Sequence, residues 1–298
     1  MGDALKQLLG PMKPPFLLLT PACVVLGWGT AHWTSGPVHL VHLALALAGA
    51  LAAHISVNAL NEYLDFRSGL DTRTQRTPFS GGSGTLPRWP EAAPQALAVG
   101  VVTLALVGLV GVYFLWVRGL QLLPLGLMGM LVVAAYTPWV TYRPGWCLIS
   151  PGLGFGPLMV MGTSFVLSGS YSWSAFVASL VPFFLVNNLL LLNQFPDVEA
   201  DRSIGRRHYP VLVGRRACSL LYGAFLLLAY VSMVLGVTLG CLPRAALLGL
   251  LTYGFAAYAF LGAFQYADEV PRLIPFLTLN VVITLATPVL MAIGLFLA

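Results

Sequence analysis

Two short stretches of the chain carry carboxylates and side-chain amides at helical spacing. The first, NALNEYLDFRSGLD (residues 58–71), contains Asn58, Asn61, Glu62, Asp65 and Asp71; the second, NQFPDVEADRSIGRR (193–207), contains Asn193, Asp197 and Asp201. At about 100° per residue, His54, Asn58, Asn61, Glu62 and Asp65 fall on one face of a helix. Asn193, Asp197 and Asp201, each four residues from the next, do the same. Gly69 predicts a helix end, with Asp71 just past it and able to turn back. Pro196 removes a backbone hydrogen bond beside Asp197 and predicts a kink. Glu199 points away from the shared face and reads as a solvated residue, the weakest member of the set.

Four or five carboxylates facing one another would repel strongly unless cations sat between them. Oxygen ligands with amides alongside suit a hard divalent ion, and magnesium in particular is commonly shared between one or two carboxylates and substrate phosphates. Arg73, Arg76, Arg202, Arg206 and Arg207 follow the two stretches. Guanidinium groups there would bind phosphate oxygens that a metal leaves uncovered. The rival reading makes them topology signals only, and that reading is preferred for Arg88, Arg215 and Arg216. Asp3, Glu91, Asp268 and Glu269 read as solvated loop residues.

The elements that must hold these groups are apolar. The chain has 298 residues, 58% hydrophobic and only 8% charged, against roughly 25% charged in soluble domains. Its long apolar runs do not alternate, so they read as spanning helices and not barrel strands. Nine spans are predicted, at about 15–33, 40–64, 93–117, 121–141, 147–168, 174–195, 217–240, 244–265 and 272–297. Residues 1–298 form one membrane domain, with 66–92 and 196–216 as cytoplasmic loops capping the site. The net charge of +5 would invite a nucleic-acid reading in a soluble protein. Here thirteen Lys and Arg fall on the side of the N-terminus, and only Arg118 and Arg244 on the other. This asymmetry places the N-terminus and both acidic stretches in the cytoplasm, and the C-terminus outside. Cys23, Cys147, Cys218 and Cys241 are isolated, which argues against a disulfide framework or a zinc site.

Asn61 precedes Asp65 by four residues as Asn193 precedes Asp197. Each pair closes the second helix of a group of four, which suggests duplicated four-helix units around a central cavity. Tyr136 and Tyr142, near the end of the fourth span, are candidates for stabilising a cation or positioning an acceptor, or else for interfacial anchoring. His32, His39 and His42 lie near the opposite face. His54, one turn deeper than Asn58, reads as an interhelical hydrogen-bonding histidine.

The paired stretches resemble the motifs of the UbiA-type intramembrane prenyltransferases across essentially the whole chain. Asn61, Glu62, Tyr63, Asp65, Gly69 and Asp71, together with FGPLMVMG (155–162), resemble the dihydroxynaphthoate polyprenyltransferase branch of menaquinone synthesis. Glu62 stands where many members have Asp, and the loop TPFSGGSGTLP (77–87) departs from that branch, leaving the acceptor open. The resemblance implies Mg2+-dependent transfer of a polyprenyl group from polyprenyl diphosphate to an aromatic acceptor through an allylic carbocation. Asn58, Glu62, Asp65 and Asp71 would serve one metal, and Asp197 and Asp201 the other. Asn58, Asn61, Asn193, Arg73, Arg76, Arg206 and Arg207 would bind the diphosphate, and Asp65 and Asp197 would be essential to turnover. The prenyl tail would lie in an apolar tunnel open to the bilayer; no nucleic acid or protein partner is implied.

Two alternatives stay open: a non-aromatic acceptor such as a glycerol-phosphate lipid precursor, or a membrane transporter. A transporter needs polar groups along a path through the membrane. The outer half of these helices is nearly free of ionisable residues.

Overall fold

The computed structural model describes residues 2–74 and 76–298, and helix is their only regular structure. In chain order the long segments are α1 (Pro14–Ser35), α2 (Leu40–Arg67), α3 (Pro90–Arg118), α4 (Leu120–Ala135), α5 (Pro144–Ser168), α6 (Trp173–Asn193), α7 (Arg215–Thr238), α8 (Arg244–Gln265) and α9 (Val270–Phe296). Lipid offers a backbone no hydrogen-bond partner, so apolar runs of this length satisfy themselves as helices. Among the described residues, eight of the nine are long and apolar enough to cross a bilayer. The exception corrects the expected fourth span at 121–141. α4 stops at Ala135, and at about 1.5 Å per residue it reaches only about 24 Å, against a hydrocarbon core of about 30 Å. The chain then leaves helix at Tyr136 and makes a short 3-10 turn over Val140–Tyr142.

The two halves pack differently. α6, α7 and α9 enclose a dense centre containing Leu185, Leu192, Tyr222, Met233, Leu277 and Ile283, all essentially without exposure. Polar groups are tied across its seams. The Asn188 amide donates to the Tyr222 carbonyl at 2.9 Å, and the Tyr222 hydroxyl donates to Asn280 Oδ1 at 3.1 Å. Such bonds hold helices in register where lipid supplies no hydrophobic drive. α3 lies close on α2, where the Ser56 hydroxyl donates to the Gly100 carbonyl at 2.7 Å. Beyond that contact α3 is mostly on the outside, and Leu123–Ala135 of α4 has no buried residue. The N-terminal half therefore walls a hollow instead of filling it.

α5 closes the hollow from the opposite side. Between Pro151 and Pro157 it widens into a π-helix over Gly154–Met161. Gly152 and Gly156 let it sit directly on the backbone of α6, at Phe183 and Ser179. A π-helical stretch commonly marks a functional site.

Candidate active site

Both acidic stretches close their helices in the same way. At the end of α2, Gly69 takes a left-handed φ of +75°, and the next amide, of Leu70, returns to the Asp65 carbonyl at 3.0 Å. After α6 the chain turns, and Asp197 leads into the short helix Val198–Ser203. That helix ends at Gly205, φ +81°, and the amide of Arg206 returns to the Asp201 carbonyl, again at 3.0 Å. Each closure depends on a glycine that adopts left-handed backbone without strain. One fixes Asp71 beside α2, and the other throws Arg206 back across the site.

Arg206 joins the two stretches. Its Nη1 lies 2.9 Å from Asp201 Oδ1 and its Nη2 bonds Asp65 Oδ1, with all three side chains buried. His208 completes the grip on Asp201, Nε2 to Oδ2 at 2.7 Å. Burial works against the guanidinium charge, but Asp65 and Asp201 outweigh it and raise the Arg206 pKa. A second cation, Lys13, sits 3.1 Å from Glu62 Oε1 and donates to Asn61 Oδ1 at 3.2 Å. Lys13 adopts a left-handed φ of +51°, uncommon for a residue with a side chain. Asn61 in turn donates to Asp65 Oδ2 at 2.9 Å and to Thr137 at 3.2 Å, while Asn58 donates to the Met12 carbonyl at 3.0 Å.

The loop after α2 lies against both stretches. The Ser83 amide and hydroxyl donate to the two Glu62 oxygens at 2.7 and 2.8 Å, and the Gly81 amide donates to Asp197 Oδ2 at 3.3 Å. On the two stretches, three buried oxygens have no protein partner among the described residues: Asp71 Oδ2, Asp197 Oδ1 and Asn193 Oδ1. Burial, reinforced by Glu62 and Asp65, pushes Asp71 up to about 7. Burial, reinforced by Asp201, does the same for Asp197, also to about 7.

Below these groups opens a cavity of about 490 Å³. Asn58, Asn61, Asp65, Asp71, Asn193, Asp197, Asp201, Arg206 and Tyr136 all line it, so most of the sequence-derived set converges. Glu62 does not line it, being buried against Lys13 and Ser83. Arg73 and Arg76 are exposed and bind Ser203 and the Ser83 carbonyl respectively. Arg207 is exposed, as is Tyr142 at 37%, and neither lines the cavity. Glu199 pairs with Arg202 at the surface at 2.9 Å. The sequence reading missed Lys13, His208, Thr137 and Ser83. Lys13 was indistinguishable from a topology signal, while His208 and Ser83 gain meaning only through chain reversals at Gly205 and in the loop.

Among the described residues no cluster of three or more His, Cys, Asp or Glu side chains could hold a metal ion unaided. Oxygens are nevertheless spare on both stretches. The donor set thus fits a hard cation that takes its remaining ligands from a phosphate-bearing substrate.

The membrane helix bundle thus sets paired acidic stretches over a cavity with a largely apolar lining. The chain belongs to the UbiA prenyltransferase family, whose model matches residues 21–296, and it is an integral membrane enzyme of that family. It is 28% identical over 237 residues to the 1,4-dihydroxy-2-naphthoate octaprenyltransferase of Bacillus subtilis, covering 78% of this chain and 73% of that one. The apo UbiA homologue of Aeropyrum pernix superposes with a TM-score of 0.72 at 18% identity, over 95% of this chain and 98% of its own. The Archaeoglobus fulgidus homologue bound to DMAPP and Mg2+ superposes with a TM-score of 0.63 at 14% identity, over 98% and 100%. These two likenesses establish a shared fold.

Proposed function

We propose that the protein transfers a polyprenyl group from its diphosphate to an aromatic acceptor of the 1,4-dihydroxy-2-naphthoate type, with magnesium as the metal. The carrying observation is the trio of unpartnered buried oxygens, Asp71 Oδ2, Asp197 Oδ1 and Asn193 Oδ1, at the mouth of a long apolar cavity. The naphthoate prenyltransferase relative supports the acceptor class, and the Mg2+-bound homologue supports the metal.

Asp71, Asp65 and Asn58 on one side, and Asp197 and Asp201 on the other, would hold the ions, with Glu62 bracing Lys13 and Ser83 behind them. Bound there, the ions would neutralise the diphosphate and make it a better leaving group. Arg206, already between the two sides, donates to phosphate oxygens; Asn61 and Asn193 orient the diphosphate, and Arg73, Arg76 and Arg207 draw it in from the cytoplasm. The loop of residues 66–92 and the segment 196–216 cover the reacting carbon and keep water from the allylic cation. Tyr136 faces that cation, and Tyr142 serves as an interfacial anchor. The allylic C–O bond breaks with its electron pair leaving on the diphosphate, a ring carbon attacks the cation to form a carbon–carbon bond, and the proton on that ring carbon passes to the released diphosphate.

We also count α4 as a ninth crossing, its length completed by the turns after Ala135, where Tyr136 and Thr141 line the cavity. The charge asymmetry of the sequence supports this, with the N-terminus and site at the cytoplasmic face of the cell membrane, the C-terminus outside, and α1–α4 and α5–α8 as duplicated units.

Purified protein in detergent with magnesium, a labelled polyprenyl diphosphate and 1,4-dihydroxy-2-naphthoate is expected to release diphosphate and form a lipid-extractable product, and to stop on chelation. Product formed only with a glycerol-phosphate acceptor would overturn the acceptor class, and turnover indifferent to chelator would overturn the metal.

A further inference from the structure

His54 is a buried polar group that the chemistry above leaves unused. It lies eleven residues before Asp65 on α2, about 16 Å deeper along the helix, and it lines the cavity with 6% of its surface exposed. Two elements converge on it. Thr20 of α1, itself without exposure, bonds the ring through Oγ1 to Nδ1 at 2.9 Å. Phe155, in the π-helical stretch of α5, meets it edge to face with ring centroids 4.8 Å apart, and also lines the cavity. With Nδ1 engaged by Thr20, Nε2 is the nitrogen left for the cavity.

Another part of the cavity lining has a different character. Gly111 of α3 and Gly126 and Gly129 of α4 line the cavity, and a Cβ placed on any of them would meet nothing within 4 Å. That wall offers open apolar room suited to hydrocarbon. A prenyl tail laid against His54 instead would bury an imidazole nitrogen without a partner, which is unfavourable. A ring oxygen would pair it, and the adjacent Phe155 suits the flat face or edge of an aromatic system.

We propose that His54, bonded to Thr20 and flanked by Phe155, binds a ring oxygen of the aromatic acceptor while the prenyl tail takes the glycine-lined wall of α3 and α4. The assignment rests on the acceptor reading above and names the acceptor's place in that same cavity.

The test is steady-state kinetics of wild type, His54→Phe and His54→Gln with 1,4-dihydroxy-2-naphthoate, 1-hydroxy-2-naphthoate and 4-hydroxy-2-naphthoate. His54→Phe is expected to raise the dihydroxy acceptor's KM about 10- to 100-fold, the range of one buried hydrogen bond. The KM for prenyl diphosphate and the kcat at saturating acceptor should each move less than about threefold. His54→Gln should recover part of the loss. The wild-type preference for the dihydroxy compound over the analogue lacking the bonded hydroxyl should collapse in His54→Phe. Thr20→Val, which keeps the imidazole but removes its bond to Thr20, should give an intermediate KM and guards against a folding loss at His54. An unchanged acceptor KM, or a shift instead in prenyl diphosphate KM or preferred chain length, overturns the assignment. Wild type inactive with every naphthoate would overturn the acceptor reading itself, a separate result.

Discussion

Each acidic stretch contains one kind of carboxylate that the protein has already paired and one that it has left free. Asp65 and Asp201 are clamped by the same guanidinium, and Asp201 is gripped a second time by His208. Asp71 and Asp197 each keep a buried oxygen without a partner and sit near pKa 7. The clamped pair ties α2 to the segment after α6. The free pair carries the unmet demand for a cation. The two motifs, alike in sequence, thus separate carboxylates that brace the fold from carboxylates with oxygens spare for a cation, although all four would contact the ions.

The separation breaks first at the free pair. Asp71→Asn and Asp197→Asn should each lower turnover about a thousandfold, since a metal's charge stabilisation amounts to several kcal/mol and each tenfold in rate to about 1.4 kcal/mol. The melting temperature of the metal-free protein should hold or rise, because each change removes a buried, unpaired carboxylate. Activity and thermal unfolding in the same detergent check both halves. Unchanged turnover would move the metal elsewhere.

Arg206→Met should show the reverse balance. It strands Asp65 and Asp201 together, and breaking a buried pair from one side costs about 3–5 kcal/mol. The metal-free melting temperature should fall clearly and recover in excess magnesium, with a turnover loss of about a hundredfold. A melting temperature that does not respond to magnesium would argue that the clamp and the metal do not share these carboxylates.

The free pair also fixes a pH dependence. Asp71 faces Glu62, Asp65, Lys13 and Arg206; Asp197 faces Asp201, Arg206 and the Gly81 amide. Both keep a proton when folded at a pH where an unfolded Asp, at 3.8, has lost it. More protons bound to the folded state means stability falls as pH rises from about 4 to about 7, and levels off above. Magnesium takes the deprotonated form, so its binding should release protons below pH 7 and tighten up to that pH. Proton release on titration with magnesium in weakly buffered detergent measures this. Uptake, or none, would contradict the raised values.

Much of this arrangement was legible in the sequence because helical spacing in a lipid-facing chain leaves few options. A polar stripe such as Asn58, Asn61 and Asp65 must turn inward, and it does. The split between held and free carboxylates was not legible. It depends on Arg206 returning across the site after Gly205, and on Lys13 arriving from a segment with no motif of its own. Arg206 and Arg207 are adjacent and identical in type, yet one is buried between two carboxylates and the other is exposed. The length of α4 was missed for a related reason, since hydropathy continues through Tyr136 although the backbone does not.

The smallest expected effect concerns the loop that touches both stretches. Gly82 has φ +69°, and a Cβ there would stand 3.0 Å from Asp71 Oδ1 and 3.1 Å from Glu62 Oε1. Gly82→Ala therefore adds left-handed strain of about 1–2 kcal/mol and crowds one free and one held carboxylate together. Because the strain falls on the loop and not on a ligand, turnover should drop about tenfold while magnesium still binds. The loss should be largest in the KM for prenyl diphosphate, where the loop has to settle over the substrate. Ser83→Ala removes a bond to Glu62 without strain or crowding, and should cost less than Gly82→Ala. If Ser83→Ala costs more, the loop acts through its grip on Glu62, and the held carboxylates are then part of the closing device as well as of the clamp.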